Sequence, residues 1–200
     1  MIAIIDYGMG NLRSVQKALE HAGAKTVVTQ NKDDILKAAK VVLPGVGAMK
    51  PAMEKLQNLD LISTINDVIH AKRPFLGICL GLQLLFESSD EGNVKGLGIL
   101  KGRVLRFTQL KIPHMGWNQL RLTKTKGPLF KNIKDGTNVY FCHSYYVQPE
   151  DEKIICAQTD YGLTFTAAIH ADNIYAVQFH PEKSQTIGLS ILKNFLEVKS

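Results

Sequence analysis

The chain has 200 residues, of which 45% are apolar and 21% charged, and its formal net charge is +6. No low-complexity run, repeat or linker interrupts it, so we expect one globular domain over residues 1–200. The positive charge is scattered and forms no basic stripe interleaved with aromatic side chains, which disfavours a nucleic-acid-binding protein.

No stretch approaches the ~18 consecutive apolar residues of a membrane span. The N-terminus reads as a short strand and lacks the basic start and long apolar region of a signal peptide. The three cysteines, at positions 79, 142 and 156, are odd in number and lack metal-ligand spacing. We therefore expect reduced thiols, a cytoplasmic location, no membrane association and no metal site.

The first half alternates apolar strands with helices. Strands are predicted at residues 2–5, 26–29, 41–43 and 75–78, the third stopping abruptly at Pro44, and helices at 12–22, 33–39 and 52–70, the last broken near 58–60. This order predicts an α/β fold whose parallel sheet is covered by helices on both faces. The active site of such a sheet lies beyond the carboxyl ends of its strands. The loops 6–11 and 44–47 and the end of the fourth strand fall there.

The second half has a different sequence pattern, with short strands separated by glycines and prolines. Strands are predicted near residues 104–107, 119–122, 139–147, 154–159, 164–169 and 174–178, and a helix at 186–198. This pattern predicts a mixed or antiparallel extension of the parallel sheet.

Cys79 lies between a strand and a helix, with a glycine two residues away on either side. We expect a strained backbone at the apex of this turn, which Gly77 and Gly81 permit because they lack Cβ atoms. A helix continuing through Phe86 would favour the thiolate at its N-terminus. The alternative is an inert core cysteine, which is common in apolar runs.

A second strand delivers His180 at its end, followed by Pro181 and Glu182. A nucleophilic thiol needs a base, and the base needs a partner that holds its tautomer. Cys79, His180 and Glu182 supply these three roles. The simpler alternatives are a hydrogen-bonded histidine at a strand end and a solvated carboxylate.

These motifs resemble the class I, triad-type glutamine amidotransferases, which implies a flavodoxin-like fold. Residues 6–12, 44–47, 113–118 and 143–145 narrow the resemblance to the glutaminase subunits of imidazole glycerol phosphate synthase. The resemblance covers the whole chain, with the motifs in the expected order.

The resemblance implies that L-glutamine is hydrolysed to glutamate and ammonia through a glutamyl thioester, without a cofactor. The ammonia would pass to a (β/α)8 cyclase subunit in a heterodimer, which makes imidazole glycerol phosphate and aminoimidazole carboxamide ribonucleotide in histidine biosynthesis. The loop 44–47 is hypothesised to rotate a peptide unit and to keep the isolated subunit slow until the partner binds its substrate.

Further roles follow from matching positions. Backbone amides of Leu80, next after the nucleophile, and of Gly47 would form the oxyanion hole. Glutamine-binding positions would be Gln83, Glu91, Tyr140, Ser144 and Tyr145, and partner-facing positions Asn11 and Lys183. Trp117 is interpretable either as a core anchor or as an interface residue.

Three alternatives remain open at this point. One is another triad glutaminase, such as the partner of pyridoxal phosphate synthase, which should lack residues 113–118 as they stand here. Another is a free-standing cysteine hydrolase of γ-glutamyl peptides. The third is a binding module with a vestigial triad, which the intact Cys79, His180 and Glu182 disfavour.

Overall fold

The computed structural model describes residues 1–199. Its strands are Ile2–Ile5 (β1), Thr26–Thr29 (β2), Lys40–Gly45 (β3), Phe75–Cys79 (β4), Phe86–Ser89 (β5), Val94–Lys95 (β6), Leu100–Arg106 (β7), His114–Gln119 (β8), Arg121–Leu122 (β9), Asn138–His143 (β10), Tyr145–Pro149 (β11), Ile155–Asp160 (β12), Thr164–Ala171 (β13) and Ile174–Val177 (β14). Its α-helices are Leu12–His21 (α1), Lys32–Lys37 (α2), Met49–Asn58 (α3), Leu61–His70 (α4), Leu80–Gln83 (α5) and Gln185–Glu197 (α6).

The main sheet has the strand order β2-β1-β3-β4-β14-β13-β11-β7-β5-β6. Neighbours from β2 to β14 run parallel, whereas β14, β13, β11 and β7 are joined by antiparallel pairs. The α/β fold, its parallel first half and its mixed second half are thus confirmed. None of the helices formed by residues 1–199 is both long and apolar enough to cross a membrane.

The hydrophobic core lies on both faces of this sheet. Along β1, Ile2 and Ile4 belong to one buried cluster and Ala3 and Ile5 to the other, because successive side chains of a strand point to opposite faces. Helices α1 and α6 cover the first face, and α2, α3 and α4 cover the second. The apolar runs of the first half are therefore buried from both sides, as a parallel sheet requires.

A separate two-stranded sheet pairs β8 with β10 in antiparallel register, with Trp117 opposite Tyr140 and His114 opposite His143. A strand at 114–119 was not predicted from the sequence. Trp117 is 48% exposed and Met115 61% exposed, so the strand leaves apolar side chains at the surface and Trp117 is no core anchor.

Two boundaries near the loop 44–47 were predicted wrongly. Strand β3 does not stop at Pro44 but continues to Gly45, where it pairs only with β4; proline is tolerated where one side of the ladder is open. Helix α3 begins at Met49, not at residue 52. The Glu91 carboxylate accepts a hydrogen bond from the Met49 amide at 2.7 Å, and a distant cap of this kind cannot be read from local sequence.

The helix predicted to continue from Cys79 through Phe86 is also wrong in length. Helix α5 ends at Gln83, and β5 begins at Phe86 and pairs in parallel with β7. Every residue from Leu80 to Phe86 is buried, so this run has no exposed face and is not amphipathic. A single turn of helix gives little basis for a helix-dipole effect on Cys79.

Candidate active site

Cys79 occupies a strained turn at the carboxyl end of β4, with φ 54° and ψ −105°, which confirms the strained backbone predicted at this residue. Each flanking glycine is required by a close approach of backbone. A Cβ on Gly77 would lie 2.7 Å from the Gly81 carbonyl oxygen, and one on Gly81 would lie 1.9 Å from the Leu43 carbonyl oxygen. The turn is therefore pressed against β3 as well as against itself.

His180 follows β14, the strand that pairs in parallel with β4, so the two strand ends bring His180 to Cys79. The His180 Nδ1 atom lies 2.8 Å from Glu182 Oε1, and the two side chains are only 3% and 2% exposed. Since a carboxylate only accepts hydrogen bonds, Nδ1 carries the proton. That leaves Nε2 as the ring nitrogen that can serve Cys79, and both residues line the same cavity.

The pKa of His180 is set by competing effects. Burial lowers it, but hydrogen bonding to Cys79 and Glu182 and the negative charges of these two residues outweigh burial and raise the pKa to about 10. The arrangement therefore favours the imidazolium form of His180 beside the Glu182 carboxylate.

Ser184 fixes the segment that carries His180 and Glu182. Its buried hydroxyl donates to the His180 carbonyl at 2.7 Å and accepts from the Tyr140 amide at 2.9 Å. The His180 amide in turn donates to the Tyr140 carbonyl at 2.9 Å. These three hydrogen bonds fix the backbone of His180 against the edge of β10.

A cavity of about 310 Å³ opens above Cys79. It is lined by Val46, Gly47, Cys79, Leu80, Gln83, Glu91, Pro113, Cys142, His143, Ser144, Tyr145, His180 and Lys183. Nine of the residues predicted for the site are in this group, namely Gly47, Cys79, Leu80, Gln83, Glu91, Ser144, Tyr145, His180 and Lys183. The volume suits a small polar molecule of amino-acid size.

Three predicted residues lie outside the lining. Glu182 is behind His180 and reaches the cavity only through it. Tyr140 packs edge-on against Trp117, with ring centroids 6.0 Å apart, and the exposed Lys183 ammonium lies 5.7 Å from its ring centroid. Asn11 is exposed and caps helix α1 by accepting a hydrogen bond from the Ser14 amide.

Sequence reasoning missed several residues around the cavity. The His143 Nδ1 atom donates to the Tyr145 carbonyl at 2.7 Å. The His143 Nε2 atom lies 2.9 Å from His114 Nδ1. Gln178 donates to Cys79 Sγ at 3.6 Å. The only available signal was position, because His143 lies in a segment already matched to the site and Gln178 lies two residues before His180.

Tyr7 was also missed as a neighbour of the thiol. It is buried, and burial together with the negative charge of Cys79 raises the pKa of its phenol. Its hydroxyl would lie 2.3 Å from a Cβ on Gly45, so the loop after β1 and the end of β3 meet beside Cys79. This contact explains why a glycine is needed at position 45.

The other two cysteines are free thiols with different surroundings. Burial raises the pKa of Cys156 to about 12, which keeps that thiol protonated and unreactive. Cys142 lines the cavity and its carbonyl oxygen lies 3.9 Å from Cys79 Sγ. Within residues 1–199, no group of three or more histidine, cysteine, aspartate or glutamate side chains could hold a metal ion.

A cysteine on a strained turn, paired with a histidine and a carboxylate beyond the ends of adjacent parallel strands, defines a class of triad-type cysteine hydrolases. The family model for class-I glutamine amidotransferases matches residues 3–198. The chain therefore belongs to the class-I glutamine amidotransferase family.

Among curated relatives, the imidazole glycerol phosphate synthase subunit HisH of Geobacter sulfurreducens is 55% identical, with 99% of each chain covered. The subunit of the same name from Trichormus variabilis is 53% identical, with 98% of this chain and 95% of that protein covered.

Solved structures match in fold. A crystal structure described as a glutamine amidotransferase has a TM-score of 0.78 at 16% identity and covers 98% of both chains. The glutaminase domain of Trypanosoma brucei CTPS with bound acivicin has a TM-score of 0.69 at 17% identity, covering 100% of this chain and 94% of that one.

Proposed function

We propose that this chain is the glutaminase subunit of an imidazole glycerol phosphate synthase. It would hydrolyse L-glutamine and supply ammonia to a (β/α)8 cyclase subunit within a heterodimer, in the cytoplasm. The observation that carries the proposal is the buried Cys79–His180–Glu182 arrangement in a chain that matches subunits of that name over nearly its whole length. The free thiols support a reducing compartment.

The reaction is an acyl transfer in two halves. The Cys79 thiolate attacks the side-chain amide carbon of glutamine, and the C–N bond breaks as the His180 imidazolium gives its proton to the leaving ammonia. A glutamyl thioester remains. Neutral His180 then takes a proton from water, the resulting hydroxide attacks the thioester, and glutamate leaves as the C–S bond breaks.

The residues around the cavity suit this substrate. Gly47 and Leu80 line it together with Cys79, and we assign their amides to the oxyanion. The Glu91 carboxylate lines the same cavity and is assigned to the α-amino group of glutamine, with Gln83, Ser144 and Tyr145 as further contacts. Gly47 has φ +94°, a conformation that permits the peptide rotation proposed for the loop 44–47.

The partner surface is proposed at the mouth of the cavity. Trp117 and Met115 project from β8 and are 48% and 61% exposed, Trp117 packs on Tyr140, and Lys183 lies over the same ring. Exposed tryptophan, tyrosine and methionine side chains are enriched at protein interfaces, whereas charged residues lie mostly at the rim. Asn11 lies at the end of the loop 6–11, which approaches Gly45 at the end of β3 through Gly10, and is assigned to the same surface.

The test is glutamate release from L-glutamine, measured for the purified chain alone and with a cyclase subunit and its nucleotide ligand. We expect slow release alone, a strong increase in the complex, and loss of activity in Cys79→Ala. Cys156→Ala is the matched control, because it removes a buried thiol that is away from the cavity and should leave the rate unchanged.

The other outcomes separate the alternatives. Full activity without a partner would identify a free-standing hydrolase. Activity that no cyclase subunit stimulates would favour a different triad glutaminase. Absence of glutamate release in every combination would leave the fold and overturn the proposed function.

A further inference from the structure

Gln178 is the residue beside Cys79 across the sheet. Strands β14 and β4 are parallel with Val177 opposite Ile78, so the next residue on each strand, Gln178 and Cys79, are neighbours at the sheet edge. The Gln178 side chain is 0% exposed. A buried amide in this position must find hydrogen-bond partners, and their identity determines its role.

The orientation of this amide is fixed by a chain of hydrogen bonds. The Tyr145 carbonyl only accepts, so the group facing it at 3.0 Å must be Gln83 Nε2. The same nitrogen lies 3.1 Å from the Gln178 side chain, which must therefore present its oxygen, Oε1. The remaining group of Gln178, Nε2, lies 3.6 Å from Cys79 Sγ and donates to it.

We propose that Gln178 is a positioning residue for the nucleophile, whose side-chain N–H holds the Cys79 sulfur and favours its thiolate form. That the nucleophile acts on glutamine rests on the proposed function, whereas the hydrogen bond from Gln178 to Cys79 does not. A buried anion needs donors, and charge-assisted hydrogen bonds are about twice as strong as neutral ones. His180 lines the same cavity as Cys79, and Gln178 supplies the sulfur with a donor that carries no charge and cannot titrate.

The role of Gln178 differs from that of the other polar groups nearby. The Cys142 carbonyl, 3.9 Å from the sulfur, can only accept and so favours the protonated thiol. The titratable or charged groups that face the sulfur or line its cavity are those of Tyr7, Glu91, Cys142, His143, Tyr145, His180, Glu182 and Lys183. None of these is altered by a substitution at Gln178, so a change in thiol titration there would report the lost donor.

The experiment measures the alkylation rate of Cys79 by iodoacetamide as a function of pH, in wild type and in Gln178→Met. Methionine keeps the length of glutamine but has no donor. The three cysteines fall in different tryptic peptides, so mass spectrometry assigns the modification. We expect the midpoint of the profile to rise by about one pH unit, with the thiolate fraction falling about tenfold below the midpoint.

Gln148→Met, an exposed site on β11, is the matched control and should keep the wild-type profile. If circular dichroism shows that Gln178→Met does not fold, Gln83→Met provides the second variant. It removes the bond that fixes the Gln178 amide, so that the amide N–H faces the sulfur only part of the time, and should raise the midpoint by a smaller amount.

Coincident profiles for wild type and a folded Gln178→Met would overturn the proposal and leave Gln178 as a packing residue. The same would follow if Gln148→Met shifted the midpoint equally. Glutamate release by wild type is measured in parallel, so the two proposals fail separately. A shifted alkylation profile without any glutaminase activity would support the Gln178 assignment and reject the function, and the reverse pattern would do the opposite.

Discussion

At the scale of single residues, the Glu182 carboxylate determines how His180 behaves. It holds Nδ1 at 2.8 Å, and its hydrogen bond and charge are two of the effects that raise the pKa of the imidazole. Replacing it by glutamine keeps the shape but removes the charge, and lets the amide nitrogen face Nδ1 so that the tautomer is no longer fixed.

For Glu182→Gln we therefore expect kcat for glutamate release to fall by about 10²–10⁴, the usual contribution of a positioned general acid–base, with a smaller change in KM. Glu197→Gln, a surface carboxylate of α6 paired with Lys131, is the matched control and should retain full activity. Unchanged kcat in Glu182→Gln would remove this residue from the triad.

At this scale the sequence was informative where the residues that act together are also close together along the chain. Two local patterns were readable: Cys79 lies between two glycines, and His180 lies two residues before Glu182. In the structure His180 contacts Glu182 and lines the same cavity as Cys79. Gln178 could not be assigned in the same way, because its contact with Cys79 depends on the register of two strands about 100 residues apart. The orientation of its amide depends further on Gln83 and Tyr145.

At the scale of elements, the turn at Cys79 is defined by packing rather than by a long helix. Helix α5 is four residues long, and Gly81 within it approaches the Leu43 carbonyl so closely that no Cβ fits. The sequence predicted the strand and the turn correctly. It predicted too long a helix because an apolar run buried on every side has no periodicity that separates helix from strand.

Gly81→Ala should displace β3 from the turn, since its Cβ would lie 1.9 Å from a backbone oxygen that cannot rotate away. We expect a loss of about 3 kcal/mol or more in the free energy of unfolding, at the upper end for overpacking, measured by urea denaturation. Cys79 alkylation should also slow, because the turn that presents the thiol is distorted.

Gly136→Ala is the matched control for this substitution. Gly136 has φ +75° with open space around its Cβ position, so alanine there meets only the left-handed backbone cost of about 1–2 kcal/mol. If Gly81→Ala were no more destabilising than Gly136→Ala, the close approach of β3 would not be what requires a glycine in the turn.

At the scale of the whole molecule, the parallel half was predictable because its buried strands and intervening helices follow simple periodicity. The small β8–β10 sheet was not, because β8 contains Gly116, a residue unfavourable in strands, and carries exposed apolar residues on its outer face. That sheet buries a hydrogen-bonded histidine pair. His143 donates to Tyr145, His114 donates to His143, and His114 accepts from Asn118, which leaves both rings neutral.

The sign of the resulting pH dependence follows from the direction of the pKa shifts. Burial lowers the pKa of His114 to about 4. Burial also lowers that of His143 to about 3, despite the opposing hydrogen bond to the Tyr145 carbonyl. Below pH 6.5 the unfolded chain therefore binds protons that the folded chain does not, and the free energy of unfolding decreases as the pH is lowered. His180, with its raised pKa, has the opposite effect and loses stability only as pH rises above 6.5.

We expect the free energy of unfolding to fall between pH 6.5 and pH 5, above the range where carboxyl groups titrate, with a slope of at most about 1.4 kcal/mol per pH unit for each buried histidine. In His143→Gln the slope of the free energy of unfolding against pH should decrease by the contribution of one buried histidine. The exposed His70→Gln should keep the wild-type slope. Urea denaturation at a series of pH values measures both. Equal slopes in wild type and His143→Gln would mean that His143 is not held neutral by burial, and the fixed order of donors from His114 to Tyr145 would then have to be abandoned.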